Sequence, residues 1–182
     1  MTKKNIGVMG PVGSGKGIAS KYVAKKYNYN IINLGNIVRI LARKHHITPT
    51  RKNLEKLQAK YSHIYHHDFV IEHALEKAHK SNKQVILDGI RKPVQAKLAK
   101  QKLRARLILV DSKPEIRFER MKKRRRHNFP KTIAEFKKEE ANENRVFNLK
   151  KTFSMADYRI DNSDGEKKFL SQVDKIMKKI NG

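Results

Sequence analysis

The stretch Ile6-Gly7-Val8-Met9-Gly10-Pro11-Val12-Gly13-Ser14-Gly15-Lys16-Gly17-Ile18 decides the fold. Ile6 to Met9 is a short apolar run of the kind that forms a buried strand. Glycines follow, and from Lys16 to Tyr27 the residues Ile18, Ala19, Tyr22, Val23 and Lys26 recur at helical spacing. A strand, a glycine-rich loop ending in lysine, and a helix together make a phosphate-binding loop. Glycines let successive backbone N–H groups converge on phosphate oxygens without Cβ clashes. The new helix adds positive potential at its N-terminus, and Lys16 reaches the outer phosphates of a nucleotide. The expected nucleotide contacts are Gly10, Gly13, Ser14, Gly15, Lys16, Gly17 and Ile18. One position departs from the general pattern. Gly17 stands where Ser or Thr would offer a hydroxyl to Mg²⁺.

Outward from the loop, strands and helices alternate. Tyr29–Leu34, Val85–Gly89, Leu107–Val110 and Tyr158–Ile160 read as further strands. Helices are expected over Ile37–Leu41, in two pieces between Thr50 and Ala78, over 93–102, from Pro114 and over 132–143. A last one carries Phe169, Val173, Ile176, Met177 and Ile180. Thr132 with Glu135 three residues on is a capping-box signal. Five strands interleaved with helices predict an α/β fold: a parallel sheet covered on both faces.

Composition bounds the chemistry. The 182 residues include 43 Lys+Arg and 17 Asp+Glu, a formal net charge of +26. That balance suits polyanionic partners: nucleotides, RNA or an acidic surface. The apolar share is 38%, close to the usual globular range once glycine is added. There is no cysteine, which removes disulfides, zinc–thiolate sites and thiol nucleophiles. No apolar run approaches the ~20 residues that cross a bilayer, and no secretory leader is visible. A cytoplasmic monomer without a membrane partner is expected. Charge is densest from Arg117 to Lys131, where eight of fifteen residues are Lys or Arg and only Glu119 is acidic. His63, His66 and His67 share a helix face and read as a solvated surface.

Several short segments resemble known kinases. The loop's Gly15-Lys16-Gly17 is similar to that of adenylate kinases, which follow it with Thr where this chain has Ile18. Leu34-Gly35-Asn36-Ile37-Val38-Arg39 looks like the Gly-Asp-x-x-Arg stretch of nucleoside monophosphate kinases, with Asn36 in place of the acid. Val85-Ile86-Leu87-Asp88-Gly89-Ile90-Arg91 is similar to their Leu-Asp-Gly-Phe-Pro-Arg, one residue shorter. Arg120 and Arg124 match an Arg-x-x-x-Arg pair leading into the adenylate-kinase lid. Ala156 to Asn162 resembles the closing strand and loop of dephospho-CoA kinases. Over its length the chain most resembles an archaeal family of adenylate-kinase-like P-loop proteins related to dephospho-CoA kinases, whose acceptor is poorly defined. This family shares the Thr48-Pro49-Thr50 segment.

The resemblance implies a three-layer α/β/α P-loop kinase domain over 1–182 with sheet order 2-3-1-4-5. It also implies an acceptor-binding helical insertion at about 35–80 and a small helical lid at about 125–150. Lys16, Asp88, Arg120 and Arg124 take the catalytic roles, and Arg39 and Arg91 bind the acceptor. Asp88 holds Mg²⁺ through water, and Asn162 lies beside the adenine. The implied reaction moves the ATP γ-phosphate to a nucleoside monophosphate or a similar adenosine-containing acceptor such as dephospho-CoA. The in-line transfer needs positioning and charge stabilisation more than covalent chemistry. Arg120 and Arg124 should point to the phosphates, and Lys122, Lys123 and Arg126 away. The competing reading is an RNA- or ribosome-associated NTPase on the same scaffold, bound through the Arg117–Lys131 run.

Overall fold

The computed structural model describes residues 4–65, 68–124 and 130–182. Its five strands form one parallel sheet in the order β2-β3-β1-β4-β5. They are β1 (Ile6–Met9), β2 (Asn30–Asn33), β3 (Val85–Ile90), β4 (Arg106–Asp111) and β5 (Tyr158–Asp161). The expected order is the observed one. β1 lies at the centre, so the loop after it opens from the middle of the sheet's C-terminal edge.

Strand period two sorts the side chains into two cores. Ile6, Val8, Ile86, Ile108, Val110 and Ile160 face α1 (Lys16–Tyr27) and α9 (Glu166–Asn181). Met9, Val85, Leu87, Leu107 and Leu109 face the opposite layer. That layer contains α2 (Leu34–Lys44), α4 (Phe69–His79) and α5 (Pro93–Leu103), with α3 (Arg51–Tyr65) packed outside. The strands read as near-continuous apolar runs because both faces are covered. α6 (Pro114–Lys123) and α7 (Ile133–Phe147) pack together through Phe118, Met121 and Phe136, and Val12 of the glycine-rich loop joins that cluster.

Three local details differ from the sequence reading. β2 ends at Asn33, because the Asn33 side chain accepts the Asn36 N–H at 2.9 Å and starts a helix at Leu34. Asparagine at a helix N-cap competes with strand continuation. Gly89, the expected end of its strand, lies inside β3, which runs on to Ile90. The register against β1 jumps from Val8↔Asp88 to Met9↔Ile90, so Gly89 is the extra residue of a bulge, with φ +93°. A short helix, α8 (Leu149–Ser154), follows α7 after Asn148, whose φ of 53° breaks the chain direction. No helix among the described residues is long and apolar enough to cross a membrane.

Candidate active site

The glycine-rich loop follows β1 and ends on the first turn of α1. Gly10, Gly13 and Gly15 all have positive φ, at 148°, 81° and 100°. A Cβ on Gly10 would stand 2.0 Å from the Val110 carbonyl oxygen, and one on Gly15 would stand 2.2 Å from Asn162 Nδ2. The loop is therefore closely packed from below by β4 and by the turn after β5. Gly17 differs: a Cβ there meets nothing within 4 Å. The missing hydroxyl is thus not excluded by crowding. Ser14 is wholly buried, and its hydroxyl has no hydrogen-bond partner among the described residues.

Lys16 Nζ donates to the Pro11 carbonyl at 2.7 Å, curling the lysine over its own loop. Its pKa is pushed down to about 8, chiefly by burial and next by the Arg91 guanidinium, while Asp88 and Glu143 act in the opposite sense. β3 presents Asp88 beside it, 7% exposed. The Asp88 Oδ2 accepts from Asn33 Nδ2 at 2.7 Å, and its buried Oδ1 has no partner among the described residues. The bulge at Gly89 sits directly behind Asp88, a common way to re-aim a strand-end side chain. An acidic oxygen left open beside a phosphate loop is what hydrated Mg²⁺ uses, so the residues present fit that ion.

Arg91 donates to Glu143 Oε1 at 2.6 Å and lies over the Phe147 ring, with its guanidinium 5.6 Å from the ring centroid. Its backbone is held from two sides: Thr152 Oγ1 donates to the Arg91 carbonyl at 2.9 Å, and Gln95 Oε1 accepts the Arg91 N–H at 2.9 Å. The Gln95 amide in turn donates to buried Asp68, which caps α4 and pairs with Lys92 at 2.8 Å. Arg39 stands half-buried one turn into α2 and donates to Asn36 Oδ1 at 3.0 Å. Asn33 thus links Asp88 to the helix that carries Arg39.

α6 corrects the expectation for the basic run. The arginine that touches the loop is Arg117, not Arg120 or Arg124. Arg117 is 4% exposed. It donates through Nε to the Ser112 carbonyl at 2.8 Å, through NH1 to the Val12 carbonyl at 3.3 Å, and as a fork to the Glu140 carboxylate. Phe136 stacks against it. The buried stripe of α6 is Arg117, Phe118 and Met121, which turns Arg120 to its rim. Arg120 donates to the Asn162 carbonyl at 2.8 Å and to Ser112 Oγ at 3.3 Å. Burial, then the neighbouring Arg124, lowers the Arg120 pKa. Arg124, at the C-cap, is exposed, as are Lys122 and Lys123. Arg126 lies outside the described residues, as do Arg125, His66 and His67. Among the described residues no His/Asp/Glu cluster suited to a metal ion occurs.

Asn162 was expected in a loop that passes the adenine. Its side chain is 3% exposed and donates to the Ser14 carbonyl at 2.8 Å. Its own N–H donates to the Asp111 carbonyl at 2.8 Å. It supports the glycine-rich loop from behind. The sequence reading missed Asn33, Arg117, Glu140 and Glu143. Of these, the two glutamates had a signal: with Phe136 and Phe147 they fall on one face of α7 at helical spacing.

Residues 9–137 match an AAA domain family. A UPF0200 protein of Pyrococcus abyssi is 31% identical over 180 residues, covering 94% of this chain and 94% of that protein. The chain belongs to the UPF0200 family. A second member, from Methanococcus vannielii, is 28% identical over 180 residues and covers 97% of this chain and 96% of its own. Among solved structures, the shikimate kinase of Acinetobacter baumannii aligns with a TM-score of 0.66 at 14% identity, over 99% of this chain and 94% of that one. That of Bacteroides thetaiotaomicron aligns at 0.65 and 14%, over the whole of both chains. The fold is therefore that of P-loop kinases.

Proposed function

We propose that this UPF0200 protein is an ATP- and Mg²⁺-dependent phosphotransferase. Its acceptor is a nucleoside monophosphate or another adenosine-containing molecule such as dephospho-CoA. One observation carries the reading: Lys16 of the glycine-rich loop lies in the field of Asp88, Arg91, Arg117 and Glu143, drawn from three other elements. A nucleotide-binding loop used only as a turn would not need carboxylate and guanidinium groups converging on its lysine.

In this reading the loop amides and Lys16 hold the donor phosphates. Bound Mg²⁺ would neutralise charge on the phosphates, with Asp88 accepting hydrogen bonds from its waters through Oδ1. Asn33 holds Oδ2 and so fixes the carboxylate's rotation. Arg39 and Arg91 face the acceptor, and Arg120 and Arg124 supply positive potential at the nucleotide end. Asn162 and Arg117 hold the loop in shape, one from the turn after β5 and one from α6. The helices at 35–80 form the acceptor side and α7 the lid side of one kinase domain. Phosphoryl transfer puts charge on equatorial oxygens, and groups fixed before the reaction stabilise it without reorganisation.

An ADP-release screen tests this, with nucleoside monophosphates, dephospho-CoA, shikimate and RNA as separate additions. Acceptor-dependent ADP release with a small molecule is the expected result. Release stimulated by RNA alone would replace this reading with an RNA-associated NTPase.

A further inference from the structure

α7 brings four residues to one face: Phe136, Glu140, Glu143 and Phe147, spaced by four, three and four. Both phenylalanines are buried, as an amphipathic helix requires. The two glutamates between them occupy positions where apolar residues would serve packing better. Each meets an arginine, but the two pairs are unlike. Glu140 meets Arg117, whose side chain is 5% exposed and which is also tied to Ser112 and Val12. That pair is closed and belongs to the packing of the loop. Glu143 is 2% exposed, while the side chain of its partner Arg91 is 41% exposed. The second pair therefore has one sealed member and one open to solvent.

A carboxylate this deeply buried is costly unless a cation stays with it. Arg91 is also, after burial, the strongest influence lowering the pKa of Lys16, so this guanidinium stands in the surroundings of the loop lysine. Any anion arriving there meets a guanidinium already carrying a carboxylate. Resting on the phosphotransferase reading above, we propose that Glu143 is a specificity-determining gate: it holds one side of Arg91, so that an acceptor's phosphate must share that guanidinium with it. Glu143 thereby weakens the hold of Arg91 on any anion lacking further contacts. Full use of Arg91 is reserved for an acceptor that other residues, such as Arg39, also engage. Glu143 acts through Arg91 and is not itself a catalytic residue.

The test is binding, not turnover. AMP is titrated calorimetrically into the full chain as wild type, Glu143→Gln, Arg91→Gln, the double variant, and Glu119→Gln as a charge control on exposed α6. ATP binding is measured separately. Glu143→Gln should bind AMP about ten-fold more tightly, as an anion no longer competes with a carboxylate. Glu119→Gln should match the wild type, and the gain should vanish when Arg91 is also replaced. Hydrogen exchange over 136–147 should quicken in Glu143→Gln while the sheet stays protected. If Glu143→Gln does not fold, Glu143→Asp keeps the charge but loosens the pair, and a smaller gain is expected. AMP affinity unchanged or weaker on removing Glu143, including no AMP binding in either protein, overturns the gate. So does a gain that persists without Arg91. Failure of ATP binding would instead overturn the phosphotransferase reading and leave the AMP comparison to judge the gate.

Discussion

Replacing Asn162 by alanine should damage a site that its side chain never enters. The Asn162 amide donates to the Ser14 carbonyl at 2.8 Å, deep under the glycine-rich loop. Alanine leaves that carbonyl buried without this donor. Losing one partner of a buried pair costs about 1–3 kcal/mol, and the weaker contact from Arg120 to Asn162 Oδ1, at 3.4 Å, goes too. Taking about 2 kcal/mol, and about 2–4 °C per kcal/mol for a chain of this size, the melting temperature should fall by roughly 4–8 °C. Gly15 packs against the same amide. The loop thus loses its floor, and ATP should bind about ten-fold more weakly, the factor that 1.4 kcal/mol carries. Ser163→Ala is the control. Ser163 lies one residue on, in the same turn, where its hydroxyl accepts the Lys113 N–H at 3.2 Å and donates to Asp161. It should change neither quantity much. Thermal melts and a fluorescent ATP analogue read both effects. An Asn162→Ala protein with wild-type melting and wild-type ATP affinity would refute the support role.

Further outcomes follow from the same geometry. Asp88→Asn should slow phosphoryl transfer by about 10²-fold or more while changing ATP binding little; equal losses in both would point to a folding role for Asp88. The folded-state pKa of Lys16, about 8, lies below its ordinary value of 10.5. ATP affinity should therefore fall as pH rises through about 8, and ATP binding near pH 8 should take up protons, seen as buffer-dependent heats in calorimetry. The sign reverses for stability: between about 8 and 10.5 the unfolded lysine keeps a proton that the folded one has released, so stability attributable to Lys16 rises with pH there. Gly17→Ser has room in α1 and restores a hydroxyl at the loop's end. It should lower the Mg²⁺ concentration needed for half-maximal activity, and Gly17→Ala should raise stability by up to about 1 kcal/mol without that change. Both are checked by Mg²⁺ titration beside thermal melting.

Much of this molecule is legible in the chain because its signals are local. Ile6–Met9 followed by Gly10–Lys16 specifies strand, loop and helix within a dozen residues, and apolar strands with Asn33, Asp88 and Asp111 at or near their C-terminal ends mark one edge of a parallel sheet. Contacts that bridge distant segments are not legible in this way. Arg117 reads like any other member of a basic run, yet its position four residues before Met121 sets it on the buried face of α6, against the loop. Arg124 lies at the C-cap, past the last helical residue, and stays outside. Gly89 reads as the end of a strand because nothing local reveals that β1 pairs across it to Ile90. Glu140 and Glu143 look like solvated helix charges until α7 is packed against Arg117 of α6 and Arg91 after β3. The loop that holds Asn162 is visible in the sequence, but the direction of its amide depends on the Ser14 carbonyl, nearly 150 residues earlier.

The central claim is that the glycine-rich loop, with Lys16 and Asp88, transfers a phosphoryl group to a small acceptor. The most direct test gives the protein ATP labelled at the γ-phosphate, Mg²⁺ and a mixture of nucleoside monophosphates, dephospho-CoA and structured RNA, then identifies the labelled product. The account predicts label in one small acceptor with the wild-type chain. With Lys16→Ala that label should be lost, although the variant melts like the wild type. Label recovered only as inorganic phosphate, at a rate that RNA increases, would contradict it, as would transfer undiminished by loss of Lys16.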